Sequence, residues 1–196
     1  MCKALLTIYL TFSLLNGKGQ PLVTKPANLT NFYSKFLSKM NLPKLNKNDL
    51  QIRLWFSNQA NVINTAYGIS FSRIDNNWIS DCFRFTTYFR KNDSCVIEKL
   101  GNVSINYDSL YNDLVKTGLN DLYCFNLPNS INKVPLDVML LHGPRFYTLE
   151  IISNSQNWIR TFASPQYFYS KQKINELEAP AKIIGILLKL LSINPY

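Results

Sequence analysis

Glu150 and Arg160 stand at the two ends of EIISNSQNWIR, within the stretch FYTLEIISNSQNWIRTF at residues 146–162. The stretch reads as two strands folded about a polar turn. A turn centred on Ser155 sets Glu150 opposite Arg160 and Thr148 opposite Phe162. A carboxylate in such a place could act as a general acid or base, provided a second acid, a nucleophile or a metal stands beside it. The sequence supplies no recognisable partner for it. An opposite-charge pair across a ladder contributes about 0.2–1 kcal/mol, which is reason enough for Glu150 and Arg160 as a structural cross-strand pair.

Other reactive residues are equally isolated. Cys124 and His142 are a thiol and an imidazole without a local nucleophile signature, and read as a packed residue and a turn residue. Asp75, Asp81, Asp108, Asp113 and Asp121 are too scattered for a calcium loop. The chain has no GxSxG, no phosphate-cradling glycine loop and no HExxH. His142 is the only histidine and no two cysteines have zinc-knuckle or redox spacing, so neither a metal nor a cofactor is expected. The expectation is therefore a protein without catalytic activity.

A second group of residues suits binding better. In DLQIRLWF, Leu50, Ile52, Leu54 and Phe56 alternate with Gln51, Arg53 and Trp55, the pattern of a half-buried strand. AYGISFSRIDNNWISDCFRFTTYFR gives two further strands about Asp75, Asn76 and Asn77. The second of them places Ile79, Phe83, Phe85 and Phe89 on one face, and Trp78, Cys82, Arg84, Tyr88 and Arg90 on the other. Arginines interleaved with aromatics can grip a carbohydrate or an anion. Arg53, Trp55, Trp78, Arg84, Tyr88 and Arg90 are thus the candidate binding residues, expected on one exposed sheet face. The plainer reading is a polar face whose long side chains lie along the rings.

The elements that must position these residues follow from the periodicity. A strand over Cys95 to Lys99 precedes NYDSLYNDLVKTGLNDL, where Leu110, Leu114 and Val115 recur at helical spacing. Asn106 or Asp108 caps that helix and Gly118 stops it. Tyr123 to Leu127 and Leu136 to Leu141 read as strands, and His142-Gly143-Pro144 as a turn. ELEAPAKIIGILLKLL is a C-terminal helix whose Lys182 and Lys189 share one face. The expected fold is one α+β domain, a largely antiparallel twisted sheet of about six to eight strands with the middle helix and the C-terminal helix on one face.

At the other end, Lys3 precedes an uncharged run from Ala4 to Leu15 and a small polar stretch from Asn16 to Gln20, the layout of a cleaved signal peptide over residues 1–19. The run is shorter than the roughly 20 residues of a membrane-spanning helix. The sequence thus points to a secreted or periplasmic protein with no membrane span after cleavage; the alternative is a buried N-terminal helix. Residues 20–48 form an arm around a short amphipathic helix near Asn31 to Met40, and 49–196 the domain proper. Cleavage removes Lys3 and Lys18 and lowers the net charge from +9 to +7. With only Lys35, Lys39, Lys44 and Lys47 clustered, and no arginine block, nucleic acid is not the expected partner. An envelope protein or an anionic polymer is. Cys82, Cys95 and Cys124 remain after cleavage, an odd number that leaves at least one unpaired in a monomer, and any of three pairs would make a disulfide.

The signal peptide, the IRLW strand, the helix followed by GLNDL, the YTLEI strand, the WIRTF return with Ser-Pro after it and the apolar C-terminal helix together resemble a family of small exported proteins associated with Bacteroidota. The resemblance covers residues 50–192. It implies export and an α+β layer and carries no catalytic residue over. The chain departs from the pattern at His142-Gly143-Pro144, where an Asp-Gly turn is expected before the YTLEI strand. Two rival functions stay open: a hydrolase of an envelope polymer using Glu150, and an inhibitor or immunity protein that blocks a partner enzyme.

Overall fold

The computed structural model describes residues 23–24, 40–43, 45–46, 49–58, 63–88, 94–101, 105–125, 145–153 and 157–190. Seven strands form one sheet: β1 (Val23–Thr24), β2 (Leu50–Asn58), β3 (Ile63–Ile74), β4 (Asn77–Tyr88), β5 (Ser94–Gly101), β6 (Phe146–Ser153) and β7 (Asn157–Ala163). Their order is β1-β7-β6-β2-β3-β4-β5 and every neighbouring pair is antiparallel. The α+β class expected from the periodicity is the class observed. β1 comes from the segment read as an arm, which therefore contributes an edge strand to the sheet.

Local chemistry accounts for the turns. Asp75 and Asn76 join β3 to β4 with φ of 48° and 64°, so both central residues of the two-residue hairpin are left-handed, which Asp and Asn tolerate. The Asp75 amide also donates to Asp49 Oδ1 at 3.3 Å, fixing the turn against the start of β2. Asn106 caps α1 (Tyr107–Lys116) by accepting from the Ser109 amide at 3.0 Å, and Gly118 at φ 102° ends that stretch.

One helix face is buried at each end of the domain's helical layer. α1 buries Leu110 and Leu114; α3 (Glu178–Leu190) buries Ile183, Ile184, Leu187 and Leu188. Between β7 and α3 lies a short helix, α2 (Pro165–Ser170), whose Phe168 is also buried. These side chains join Ile52, Leu54, Phe56, Ile69, Phe71, Tyr147, Leu149, Ile151 and Phe162 in one core cluster on the helix-covered side of the sheet. The hairpin end of β3–β4 is clasped to α1. Trp78 Nε1 donates to Asp108 Oδ1 at 3.0 Å, the indole stacks on Tyr107, and the Arg73 guanidinium lies over both Trp78 and Tyr111.

Residues Tyr123 and Cys124, expected in a strand, are instead in a 3₁₀ turn over Asn120–Cys124. Leu119 and Leu122 both bury, and a three-residue spacing puts them on one side of a helical turn but on opposite faces of a strand. The signal segment at 1–19, residues 31–39 of the expected first helix, the expected strand at 136–141 and the turn at 142–144 lie outside the described residues. Among the described residues no helix is long and apolar enough to cross a membrane.

Candidate functional site

Strand register decides which side chains meet. Glu150 on β6 stands opposite Arg53 on β2, Arg53 opposite Ser70 on β3, and Ser70 opposite Asp81 on β4. These four form one row across the sheet on the face turned away from the main core. Arg53 Nη1 donates to Glu150 Oε2 at 3.2 Å, and at the far end the exposed Lys99 of β5 makes an ion pair with Asp81 Oδ1. The row's four charges thus balance in two pairs.

The adjoining positions on this face mix polar and aromatic side chains, Thr148 standing directly opposite Trp55. Gln51 Nε2 donates to Ser72 Oγ at 2.6 Å, and the Thr148 and Thr161 hydroxyls share a hydrogen bond at 2.8 Å. Trp55 lies across Gly68, where an added Cβ would meet Trp55 Cζ3 at 2.2 Å, and its ring meets Phe85 edge-on at 5.9 Å between centroids. Met40, Ala66 and Phe83 complete this second apolar cluster, so the residue range read as an arm also supplies part of its packing. Gly68 is required there because only glycine leaves room for the indole.

Burial sets the electrostatics of the row. It pushes the Glu150 carboxyl above its usual value, and the charge of Arg53, the Trp55 indole and the hydrogen bond from Arg53 only partly counter it. The same burial lowers Arg53, against the pull of Glu150. Three polar atoms at neighbouring positions are buried without a hydrogen-bond partner among the described residues: Gln51 Oε1, Arg53 Nε and Ser70 Oγ. Gln51 and Ser70 are 0% and 1% exposed. A buried group left unsatisfied costs about 1–3 kcal/mol, and such groups in native proteins are nearly always met by protein, water or ligand. Two further unpartnered atoms, Trp158 Nε1 and Gln166 Nε2, are on β7 and α2 rather than in this patch.

The expected site residues are redistributed by this register. Glu150 does not face Arg160: Ile159 is its β7 partner, Arg160 is opposite Leu149, and Thr148 is opposite Thr161. The polar loop between β6 and β7 is one residue out of step with a turn centred on Ser155, and a slip of one residue moves a side chain to the other face. Arg160 instead lies over the Trp158 ring at 5.5 Å and donates to the Ile159 carbonyl. Glu150 finds its arginine on β2.

Nor do the six candidate binding residues share an exposed face. Arg53 and Trp55 are on the polar face, where Trp55 is 1% exposed; Trp78 and Arg84 are on the opposite face. The cause is again register: Trp55 is opposite Gly68, which is opposite Phe83, so the Trp55 side of β2 continues into the phenylalanine side of β4. Arg84 is exposed and held by Glu98 of β5. The Tyr88 side chain and Arg90 lie outside the described residues. Gln51, Ser70 and Asp81 were not singled out from the sequence, although Gly68 within a strand, followed by alternating serines, marks a face with room beside an aromatic.

Among the described residues no three His, Cys, Asp or Glu side chains gather as metal ligands. Cys82, buried on the core side, and the exposed Cys124 are both free thiols, which removes them as a disulfide pair. No protein-family model matches the chain, and no curated protein matches it.

Proposed function

We propose that the protein is exported and acts without catalysis as a binding protein of the cell envelope or the space outside it, taking a small polar ligand on the face that carries Gln51, Arg53 and Ser70. Export rests on the layout of residues 1–19. Support for binding comes from one observation: three neighbouring polar atoms on central strands, Gln51 Oε1, Arg53 Nε and Ser70 Oγ, are buried without a hydrogen-bond partner among the described residues.

The rival acid–base reading draws on Glu150, whose carboxyl is held above its usual range. Among the described residues no second acid stands at working distance in its row. Asp81, the other carboxylate of the row, is three strand spacings away, about 14 Å, whereas glycoside hydrolases need about 5–9.5 Å between theirs. Blocking a partner enzyme calls for roughly 800 Å² of exposed surface, which a buried row does not offer.

Thermal unfolding in the presence of fractionated small molecules from the native envelope tests this reading. A fraction that raises the midpoint of the wild type and not of Ser70→Val, and is recovered chemically unchanged, agrees with it. A component consumed by the wild type and spared by Glu150→Gln contradicts it.

A further inference from the structure

β5 is the last strand in the sheet order, and among the described residues no strand pairs with its outer edge. Such an edge presents a row of backbone donors and acceptors to any strand that can lie beside it. Its apolar side chains are presented with it, Val96 being 55% and Leu100 47% exposed. Independently of the polar row, we infer that a second copy of this chain docks there, β5 against β5 in antiparallel order about a two-fold axis at Ile97, so that the two sheets run on as one.

Charge is the usual guard of an open edge, and here it is turned inward. The charged residues of β5 are Glu98 and Lys99. Glu98 is paired with Arg84 on the helix-covered face and Lys99 with Asp81 on the other, and both partners belong to β4. The edge is thus electrically balanced on each face, and a copy of itself meets no net repulsion.

Symmetry and packing select the register. In an antiparallel pair about a two-fold axis, one residue stands opposite its own copy. Glu98 or Lys99 in that place would set like charges face to face, which destabilises a ladder. Ile97 in that place sets one aliphatic side chain against another, and brings Val96 opposite Glu98 of the second copy. Ile97 is also the outer member of the second apolar cluster: it is partly buried, packs against that cluster and stands opposite Phe85. Two Ile97 side chains side by side would continue the cluster from one copy into the next. Pairing with β4 is regular from Ser94 to Lys99, and the irregularity at Leu100 lies beyond it, so the strand about Ile97 is undistorted. At the other end of the sheet, β1 is only two residues long, too short an edge to template further pairing. The contact is therefore isologous and closes at two copies.

Sedimentation equilibrium of the protein from about 1 μM to about 1 mM tests this. The expected result is a reversible monomer–dimer equilibrium, weakened about tenfold or more by Ile97→Lys and unchanged by Lys189→Ala on α3. Circular dichroism checks the fold of Ile97→Lys. Ile97→Cys, in a chain whose Cys95 and Cys124 are replaced by serine, gives a second readout. Cα atoms directly opposite across a ladder are about 4.5–5.5 Å apart, within the span of a disulfide, so mild oxidation should link the two copies covalently and should not link Ser109→Cys on α1. If Ile97→Lys does not fold, the crosslink alone decides. A monomer throughout the range overturns the inference, as does a dimer that Ile97→Lys leaves intact and Ile97→Cys does not link. Assemblies larger than two copies overturn the closed form.

Discussion

Arg53 and Glu150 are directly opposite one another on β2 and β6, 97 residues apart in the chain, with Nη1 3.2 Å from Oε2 and both side chains largely withdrawn from water. Their pairing joins the β6–β7 hairpin to the four consecutive strands β2 to β5. Together with the Lys99–Asp81 pair it balances the charges of the row beside Ser70.

Glu150 gives the protein a definite pH response. Burial raises its folded-state pKa above the value it has in the unfolded chain, so the folded state binds the proton more tightly. Its contribution is fully present below the ordinary carboxylate pKa and is lost as pH rises through the raised one. Urea unfolding from about pH 4 to about pH 8 should therefore show the wild type losing stability relative to Glu150→Gln as pH rises. A wild type that gains on the variant over that range contradicts the assignment.

Arg53 is expected to be the less replaceable partner. Arg53→Ala removes the counter-charge of a buried carboxylate and should destabilise by about 3–5 kcal/mol at neutral pH. Arg53→Met together with Glu150→Leu, which removes both charges, should cost markedly less than Arg53→Ala alone. Equal losses in the two proteins, measured by chemical denaturation, would show that the pair is not coupled.

Gly68→Ala is predicted to destabilise by about 1–3 kcal/mol, because its new methyl would fall within 2.2 Å of the Trp55 ring on a face with no slack. Combining it with Trp55→Leu should recover part of that loss. Near-ultraviolet circular dichroism reports the indole's surroundings directly, and an unshifted spectrum with unchanged stability would rule out the close approach.

The two described thiols should differ sharply in reactivity. Burial, and after it the charge of neighbouring Asp81, push the Cys82 thiol up to about 11, so it stays protonated and enclosed; Cys124 is exposed. Iodoacetamide at about pH 8 should alkylate Cys124 in the native protein and reach Cys82 only after unfolding. Peptide mapping that finds Cys82 modified first would contradict the burial of that face of β4.

Much of the architecture was legible because it rests on local rules. The alternation in Leu50–Phe56, the Asp75-Asn76 turn, the Asn106 cap and the apolar stripe of Ile183, Ile184, Leu187 and Leu188 each follow from neighbours within a few residues. Ser164-Pro165 is a helix-start signal of the same kind that the sequence analysis did not use, and α2, which begins there, was not expected. The site was not legible, because it is made by pairing between distant strands. β2 offers Gln51, Arg53 and Trp55 on its less apolar side, and nothing within β2 says that this side meets Gly68, Ser70 and Ser72 rather than water. Between β6 and β7, one residue of loop length separates the Glu150–Arg160 pairing expected from the observed Glu150–Ile159, and the loop Asn154-Ser155-Gln156 carries no glycine or proline to choose between them.

The central claim is that Gln51 Oε1, Arg53 Nε and Ser70 Oγ are partnered by a bound small molecule. A high-resolution crystal structure of the protein, grown with and without the envelope fraction that raises its unfolding midpoint, measures this most directly. The account predicts a bound small molecule within hydrogen-bond distance of the three atoms in crystals grown with that fraction. Isolated ordered waters on those atoms in both crystals, or the three satisfied by other side chains of the protein, would contradict it.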